Sequence, residues 1–192
     1  ALRESSADLV FLQEVAWRTD KAQCEYLADQ VWQEHAYGKN AVYDQGHHGN
    51  AILSKYNFQM SMNTDISSSR WERRGFLYAS LIVEQRILHL VSLHLSLRAK
   101  DRRVQAKTLA KFVESLPADE AIIIGGDFND WNMDMRVLLE EPLKLTEAYR
   151  AIHGSEARTF PSYMPVLRLD RIYTRGVKVH SAKTFADTHW PR

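Results

Sequence analysis

Apolar runs bounded by turn residues recur along the chain and predict strands. Several of these runs are apolar at consecutive positions, which is typical of strands that are covered on both faces. The predicted strands are DLVFLQ (8–13), NAVYD (40–44), GNAILS (49–54), FLYASLIV (76–83), RILHLVSLHL (86–95), AIIIGG (121–126), LDRIYT (169–174) and VKVHSAKTF (177–185). The pattern therefore indicates sheets that lie inside the molecule.

Helical spacing of apolar positions predicts two long helices, over residues 20–35 and 100–116, the second ending just before Pro117. Shorter helices are expected after FNDW (128–131) and around LTEAYRAI (145–152). The strand content exceeds what a simple alternating parallel sheet requires. We therefore predict a layered α/β fold with sheets inside and helices outside.

Composition limits the classes of protein to which the chain can belong. Its 192 residues suit one domain, residues 1–192, and we expect a monomer. The single cysteine, Cys24, excludes an internal disulfide framework and a cysteine-rich zinc site, and it fits a reducing compartment, so we expect a cytoplasmic location. No apolar stretch is long enough to span a bilayer. The net charge of +1 provides no general field that would attract nucleic acid.

Two clusters of basic residues could nevertheless bind a phosphate-rich substrate. RWERRG contains Arg70, Arg73 and Arg74, and LRAKDRRVQAK contains basic residues from Arg98 to Lys107, including Arg102. Each cluster could equally be a solvated face, because basic residues are common on exposed helices.

Polar residues close several apolar runs where a buried strand should end. AIIIGG is followed by Asp127 and Asn129, and side chains two residues apart on an extended segment point the same way. Glu14 closes the first predicted strand, where a buried carboxylate requires a cation or a hydrogen-bond donor. We therefore expect these side chains to form a site at the strand ends, where open sheets place their chemistry.

A histidine and a further acid interrupt other runs. His89 and His94 lie five positions apart, so a regular strand would point them to opposite faces, and we assign His94 to the site because it stands at the strand end. Asp170 interrupts LRLDRIYT and could instead pair with Arg168 or Arg171. The set is rich in oxygen and lacks sulfur, which favours Mg²⁺ or Mn²⁺ over zinc.

The order of the motifs resembles that of the endonuclease/exonuclease/phosphatase superfamily, which includes DNase I-like and exonuclease III-like enzymes. The motifs are LQEV (12–15), GNAILS (49–54), RRG (73–75), SLHLSL (92–97), RRVQ (102–105), GGDFND (125–130), TFPS (159–162) and LDRIY (169–173). Single motifs are weak, but the ordered set with GDFN and LDRIY is specific and covers nearly the whole chain.

The resemblance implies a four-layer α/β sandwich, with two packed mixed sheets flanked by helices, and Mg²⁺-dependent hydrolysis of phosphate esters. It implies that Glu14 holds the metal and that Asp127 positions or deprotonates the attacking water. Asn129 would orient Asp127 or contact a phosphate oxygen, and His94 would donate to a non-bridging oxygen. Asp170 matches the acid that orients a histidine near the C-terminus.

The sequences at the two ends of the chain differ from those that the family resemblance implies. Family members carry a Ser-Asp-His-x-Pro run near the C-terminus, whereas this chain offers ADTHWPR, so either Asp187 and His189 form a variant pair or the true pair lies beyond Arg192. The second reading is preferred because relatives carry a tryptophan shortly before the pair, as Trp190 would be. We expect the domain to lack its first strand and its C-terminal strand.

The sequence leaves the substrate open. Basic residues after His94 favour a phosphodiesterase or nuclease, and the alternative is a phosphatase or phosphodiesterase acting on lipid headgroups or small molecules. A non-catalytic binding module is the third reading. Residues that could contact substrate are Asn50, Arg74 and Arg102, although Asn50 could merely form a turn after Gly49 and Arg74 could be a surface residue.

Overall fold

The computed structural model describes residues 5–18, 21–28 and 31–184. The strands in this part of the chain are β1 (Leu9–Arg18), β2 (Lys21–Ala22), β3 (Glu34–Tyr43), β4 (Gly46–Ser54), β5 (Phe58–Asp65), β6 (Gly75–Val83), β7 (Arg86–His94), β8 (Ala121–Asp127), β9 (Thr146–Glu147) and β10 (Asp170–Arg175). The helices are α1 (Gln23–Ala28), α2 (Ala99–Ser115), a π-helical segment (Arg136–Glu140), α3 (Glu141–Leu143) and α4 (Ala148–His153). None of the helices in these ranges is both long and apolar enough to cross a membrane.

The strands form two sheets, which confirms the predicted fold class. The smaller sheet has the order β2-β1-β4-β3 and the larger one the order β5-β6-β7-β8-β10-β9. In the larger sheet β7 and β8 are parallel and the other pairs are antiparallel, so this sheet is mixed. The described strands of the smaller sheet are all antiparallel, in contrast to the expectation that both sheets are mixed.

Three sets of buried apolar side chains join four layers, namely the two sheets and the helices on their outer faces. The first set lies between the sheets and joins Ile52 of the smaller sheet to Leu77 and Leu90 of the larger one. A second set packs α2 and the π-helical segment against the outer face of the larger sheet. The third covers the outer face of the smaller sheet and includes Cys24 and Ala28 of α1. Cys24 is fully buried in this set.

Helix α2 agrees closely with the predicted helix over 100–116, because Ala106, Leu109 and Val113 recur at helical spacing and are completely buried against the sheet. The helix predicted over 20–35 is confirmed only over α1, whereas residues 21–22 form β2 and residues 31–35 are not helical; residues 20, 29 and 30 lie outside the described residues. Glu34 begins β3, which pairs with β4 along nearly its whole length, so strand pairing overrides the helical periodicity there.

Two further strand predictions differ from the structure. β5, with the sequence FQMSMNTD, was not predicted because it is an edge strand whose polar residues remain exposed. The strand predicted over 177–185 is wrong over 177–184, which form no strand, and residue 185 lies outside the described residues. Alternating apolar residues specify a strand only where a neighbouring strand supplies hydrogen-bond partners, and none of the described strands pairs with this segment.

Candidate active site

Asp127 occupies the last position of β8, directly after two glycines that the packing requires. A Cβ atom at Gly126 would lie 2.0 Å from the backbone oxygen of Leu93, and Gly126 has a φ of +155°, which disfavours other residues. A Cβ atom at Gly125 would lie 3.1 Å from the ring of Phe11 in the smaller sheet. The glycines therefore allow β8 to approach both β7 and the facing sheet closely at the strand end.

His94 lies beside Asp127, because the two residues are register partners at the ends of the parallel strands β7 and β8. The Nε2 atom of His94 is 3.5 Å from Oδ2 of Asp127. The chain then turns away, and the N–H of Leu95 donates a 2.9 Å hydrogen bond to the backbone oxygen of Asp127. The backbone thus holds both side chains at one edge of the larger sheet.

Glu14 approaches the same point from the smaller sheet. The pairing of β1 with β4 shifts register between Leu12 and Val15, and Glu14 has a φ of +54° within this bulge. Bulges re-aim side chains at functional edges. The carboxylate of Glu14 is 64% exposed, in contrast to the buried carboxylate expected from the sequence, and its Oε1 lies 3.7 Å from Nδ1 of His94. His94 therefore stands between two carboxylates that come from different sheets.

The charge state of His94 follows from its burial. Burial lowers the pKa of His94 to about 4, and the positive charges of Arg74 and His48 act in the same direction. His94 is therefore neutral near pH 7, so its contacts with Glu14 and Asp127 are not ion pairs at that pH. A neutral imidazole still carries one N–H that can donate a hydrogen bond.

Burial, hydrogen bonding and neighbouring charges shift the pKa of Asp127 in opposite directions. Burial raises the pKa of Asp127 to about 6, the hydrogen bond from the Asn129 backbone N–H opposes this shift, and the negative charges of Asp170 and Glu14 add to it. The raised value means that the carboxylate binds a proton more readily than an ordinary aspartate. This is the property expected of a group that accepts a proton during a reaction.

Asp170 is the first residue of β10 and the register partner of Asp127. Its side chain is exposed, and none of the described residues forms an ion pair with it. Arg171, one of the partners considered from the sequence, instead binds Asp130, with Nη1 3.1 Å from Oδ2. Asp170 is thus available beside Asp127.

Asn129 does not project beside Asp127 as alternation along a strand predicts. The strand ends at Asp127, and Asn129 adopts a left-handed conformation with a φ of +48°. Its backbone N–H donates a 2.8 Å hydrogen bond to Oδ1 of Asp127, whereas its side-chain amide donates to the backbone oxygen of Leu95. Asn129 contacts Asp127 through its backbone, and its side chain is buried.

Arg74 is near the site but is not an ordinary surface arginine. Its side chain is only 13% exposed, and Nη2 lies 3.1 Å from Oε1 of Glu72. The buried Nε has no hydrogen-bond partner among the described residues. Its charge reaches both His94 and Asp127, since it lowers the pKa of each. The unused Nε donor of Arg74 suits an anionic ligand.

Two residues predicted to contact substrate are instead buried. Asn50 lies within β4 rather than in a turn, and its amide bridges the sheets by donating to the backbone oxygens of Gly75 and Ser92. Arg102 is completely buried, donates to the backbone oxygens of Ser96 and Leu97, and stacks against the ring of Trp131. The side chain of Arg102 turns inward from α2 rather than toward solvent, and Nε and Nη2 have no hydrogen-bond partner among the described residues, so its contact with substrate stays a prediction.

His89 lies on the opposite face of the larger sheet, as its odd spacing from His94 predicts. Its Nδ1 is 2.9 Å from the hydroxyl of Tyr78, and its Nε2 is 2.6 Å from Oε2 of Glu120. These contacts satisfy both ring nitrogens away from the site, so His89 does not belong to the Asp127 cluster.

The donor set fits a hard divalent cation. The described residues contain no group of three or more His, Cys, Asp or Glu side chains arranged to hold a metal. Mg²⁺, however, is usually held by one or two carboxylates, with water and substrate phosphates completing its octahedron. Glu14 supplies an exposed carboxylate, Asp127 and Asp170 supply further oxygens, and Oδ1 of Asn50 is buried without a hydrogen-bond partner among the described residues.

Sequence reasoning missed a cavity of about 640 Å³ next to Glu14. Its lining includes Tyr43, His48, Trp71 and Arg74. The sequence signal for this cavity was Trp71 in RWERR, a large apolar residue that stands among basic residues and belongs to no predicted helix or strand. The other candidate pair, Asp187 and His189, and the adjacent Trp190 lie outside the described residues.

Comparison of the sequence with those of known proteins identifies relatives across nearly the whole chain. The family model described as the endonuclease/exonuclease/phosphatase family matches residues 1–191. The protein named uncharacterized protein YbhP of Escherichia coli (strain K12) is 39% identical over 204 residues, which cover 99% of this chain and 80% of that protein.

Solved structures share the fold. An endonuclease/exonuclease/phosphatase from Beutenbergia cavernae DSM 12333 superposes with a TM-score of 0.74 at 18% identity, over 90% of this chain and 56% of that structure. D. rerio TDP2 complexed with single strand DNA product superposes with a TM-score of 0.70 at 22% identity, over 94% of this chain and 76% of that structure. Sphingomyelinase C from Streptomyces griseocarneus superposes with a TM-score of 0.64 at 20% identity, over 88% of this chain and 70% of that structure. At such identities the likeness shows the DNase I-like fold alone, as the motif order predicted.

Proposed function

Since the chain belongs to the endonuclease/exonuclease/phosphatase family, we propose that it is a hydrolase that cleaves phosphodiesters with the help of Mg²⁺ or Mn²⁺. The observation that supports this proposal is the convergence of Glu14, His94 and Asp127. These residues come from two sheets, and His94 lies 3.7 Å from one carboxylate and 3.5 Å from the other. Packing alone does not require three polar groups at one strand edge.

The reaction is an in-line attack of water on phosphorus. A new P–O bond forms to the water oxygen while the P–O bond to the leaving group breaks. Asp127 orients the water and accepts its proton, a role that its raised pKa of about 6 supports, because the carboxylate is ionised at neutral pH yet binds a proton readily. Positioning and charge stabilisation are the main contributions that phosphoryl transfer requires of a protein.

The neighbouring residues hold the substrate and the water in place. His94, neutral at pH 7, donates its single N–H to a non-bridging phosphoryl oxygen. Arg74 places positive charge beside the same oxygens. The backbone N–H of Asn129 fixes one oxygen of Asp127 and leaves the other free for water. Asp170 orients a catalytic histidine near the C-terminus, as the family resemblance implies.

Glu14 is the residue that would hold the cation, with Asp127 or Asp170 as a second source of oxygen. When bound, Mg²⁺ or Mn²⁺ supplies positive charge that neutralises the phosphoryl oxygens in the transition state. The exposure of the Glu14 carboxylate and the oxygen-rich surroundings support this assignment.

Hydrolysis of bis-p-nitrophenyl phosphate tests the proposal. The full chain is assayed with Mg²⁺, with Mn²⁺ and with EDTA, beside Asp127→Asn and a matched control, Asp119→Asn, whose residue is exposed in the turn before β8. We expect turnover that requires the cation, falls by at least about a hundredfold in Asp127→Asn and is unchanged in Asp119→Asn. Equal activity of the two variants would contradict the assignment of Asp127.

Absence of turnover in the folded wild-type protein would favour the second candidate function, a phosphatase for small monoesters or a lipid-headgroup esterase of narrow specificity. The small net charge of +1 is the observation that favours such a substrate over a long polynucleotide. A binding module without catalysis would neither turn over a phosphate ester nor respond to the cation.

A further inference from the structure

The three residues after His94 are held mainly by side chains rather than by a strand or a helix. Residues 95–97, the clamped segment, lie between β7 and α2. Their six backbone N–H and C=O groups all form hydrogen bonds, and four side chains supply five of these bonds. A backbone that is paired in this way cannot shift without breaking several hydrogen bonds, so its position is closely fixed.

Two side chains of α2 hold the clamped segment from inside. Gln105 accepts a 2.9 Å hydrogen bond from the N–H of Ser96 and donates a 2.7 Å hydrogen bond to its hydroxyl. Arg102 donates from Nη1 to the backbone oxygens of Ser96 and Leu97, at 3.3 and 2.5 Å. Both side chains are completely buried, so they attach the segment to the helix that covers the larger sheet.

The partner on the outer side is Glu72, which belongs to the loop over residues 66–74. Its Oε1 accepts a 3.2 Å hydrogen bond from the N–H of Leu97. The same oxygen accepts a 3.1 Å hydrogen bond from Nη2 of Arg74. One carboxylate oxygen therefore joins the guanidinium of Arg74 to the segment that follows His94.

The loop that carries Glu72 is closed at its base. The N–H of Ile66 donates a 3.0 Å hydrogen bond to the backbone oxygen of Arg74, and the hydroxyl of Ser67 accepts a 2.9 Å hydrogen bond from the N–H of Arg74. The side chain of Glu72 is 25% exposed. The loop backbone thus directs Glu72 toward the site rather than toward solvent.

The charge of Glu72 is unfavourable for an anionic substrate. The positive charge of Arg74 lowers the pKa of both His94 and Asp127, so it acts at the centre of the site. A carboxylate beside this guanidinium weakens its attraction for a phosphate ester. Glu72 does, however, fix the direction of the guanidinium, whose Nε has no hydrogen-bond partner among the described residues.

We propose that Glu72 is a positioning residue, which fixes Arg74 and the backbone after His94 relative to each other so that both side chains point to one phosphoryl group. The catalytic effect rests on the proposed hydrolase function, whereas the coupling between Glu72 and Arg74 does not. Phosphoryl transfer depends on positioning, and a displacement of about 1 Å can lower a rate about a hundredfold.

Two variants of Glu72 and one control separate positioning from charge. Glu72→Ala removes both hydrogen bonds, whereas Glu72→Gln keeps an oxygen that can accept them. The control is Asp65→Asn, because Asp65 lines the same cavity and loses the same charge, yet its ion pair is with Arg73, 3.5 Å away. The amide of this variant can still accept the hydrogen bond from the N–H of Ser67, so the loop base is kept.

The Nε–H signal of Arg74 in a proton–nitrogen NMR spectrum reports positioning without catalysis. The full chain is isotope-labelled, and the signal is identified by its loss in Arg74→Gln. We expect it to move or to broaden beyond detection in Glu72→Ala and to stay in place in Asp65→Asn. An unchanged Arg74 signal in Glu72→Ala, with circular dichroism showing a folded protein, would overturn the proposal.

Hydrolysis of bis-p-nitrophenyl phosphate with Mg²⁺ provides the kinetic readout. Glu72→Ala should lower kcat by at least about tenfold and change KM by less than about threefold, because the charge that attracts substrate remains while the fixed geometry is lost. Glu72→Gln should lose less, since its amide oxygen can still accept both hydrogen bonds. Asp65→Asn should change kcat by less than about threefold, because only an exposed ion pair is broken.

A double variant shows whether Glu72 acts through Arg74. The loss in Glu72→Ala/Arg74→Gln should be smaller than the product of the two separate losses, because the carboxylate cannot orient a side chain that is absent. Losses that multiply would overturn the proposal. A Glu72→Ala protein that is faster than the wild-type protein would also overturn it and would show that Glu72 acts by charge alone. A wild-type protein without turnover would contradict the hydrolase function rather than the coupling, which the NMR comparison decides by itself.

Discussion

His94 and Asp127 are register partners at the carboxyl ends of β7 and β8, and Nε2 of the imidazole lies 3.5 Å from Oδ2 of the carboxylate. β7 and β8 run parallel, with α2 as the crossover between them, so both strands end at the same edge of the sheet. The bulge at Glu14 brings a second carboxylate to this edge from the facing sheet. Strand direction and one bulge therefore account for most of the site.

Replacing Asp127 should stabilise the metal-free protein at neutral pH. Burial raises the pKa of Asp127 from 3.8 to about 6, so the folded state binds more protons than the unfolded state between these values. The contribution of Asp127 to stability therefore falls as the pH rises through that window. We expect Asp127→Asn to raise the free energy of unfolding at pH 7 by roughly 1–2 kcal/mol, since partial solvent access reduces the full effect of the shift.

Denaturant titrations in EDTA at pH 7 and pH 4 measure this effect, with Asp119→Asn as the control. The gain in stability should shrink at pH 4, where the unfolded state also begins to bind the proton. If the variant is less stable than the wild-type protein at pH 7, burial of the ionised Asp127 carboxylate does not destabilise the folded protein.

Gly126 should tolerate no side chain. A Cβ atom there would lie 2.0 Å from the backbone oxygen of Leu93, whereas Gly154, also at positive φ, has open space around it. We expect Gly126→Ala to lower the free energy of unfolding by more than about 3 kcal/mol and Gly154→Ala by about 1–2 kcal/mol. Similar losses in urea titrations of the two variants would mean that β7 and β8 are packed less closely than the structure indicates.

The buried ion pair between Arg171 and Asp130 should support the loop that follows Asp127. Both side chains are almost completely buried, and Asp130 also accepts hydrogen bonds from the backbone N–H groups of Asp134 and Met135. Asp130→Asn leaves the arginine charge uncompensated and should cost about 3–5 kcal/mol. Arg103→Met, which breaks the exposed pair with Asp134, should cost less than about 1 kcal/mol in the same thermal or denaturant measurement.

Arg74 should contribute to turnover more than its neighbour Arg73. Its side chain is mostly buried and its charge acts on His94 and Asp127, whereas Arg73 is half-exposed and lies 3.5 Å from Asp65. We expect Arg74→Gln to lower kcat/KM for bis-p-nitrophenyl phosphate by roughly ten- to a hundredfold and Arg73→Gln by less than about threefold. Equal effects would indicate that general surface charge, rather than a positioned donor, attracts the substrate.

The sequence predicted the layered fold and the residues that end strands. Asp127, His94 and Glu14 could be found because a polar residue that closes a buried apolar run is conspicuous. The direction of the Asn129 side chain could not be predicted, because it depends on where β8 ends, and strand boundaries are poorly specified by local sequence. The burial of Arg102 could not be predicted either, because the sequence of a helix with mixed polar and apolar positions does not show which of its faces packs against the sheet.

Other features could not be read from local pattern at all. β5 is held by pairing with β6 rather than by its own apolar alternation. The cavity beside Glu14 arises where the β3–β4 hairpin meets the loop over residues 66–74, so no single segment signals it. Only the tertiary structure shows that the large apolar side chains of residues 160–167 are exposed.

The most direct test of the account is the Mg²⁺ dependence of bis-p-nitrophenyl phosphate hydrolysis by Glu14→Gln and Asp127→Asn. If Glu14 holds the cation and Asp127 accepts the proton, Glu14→Gln should need at least about tenfold more Mg²⁺ for half-maximal rate, whereas Asp127→Asn should lose kcat at every Mg²⁺ concentration. Turnover by the wild-type protein that persists in EDTA, or a Glu14→Gln curve that coincides with the wild-type curve, would contradict the proposed site.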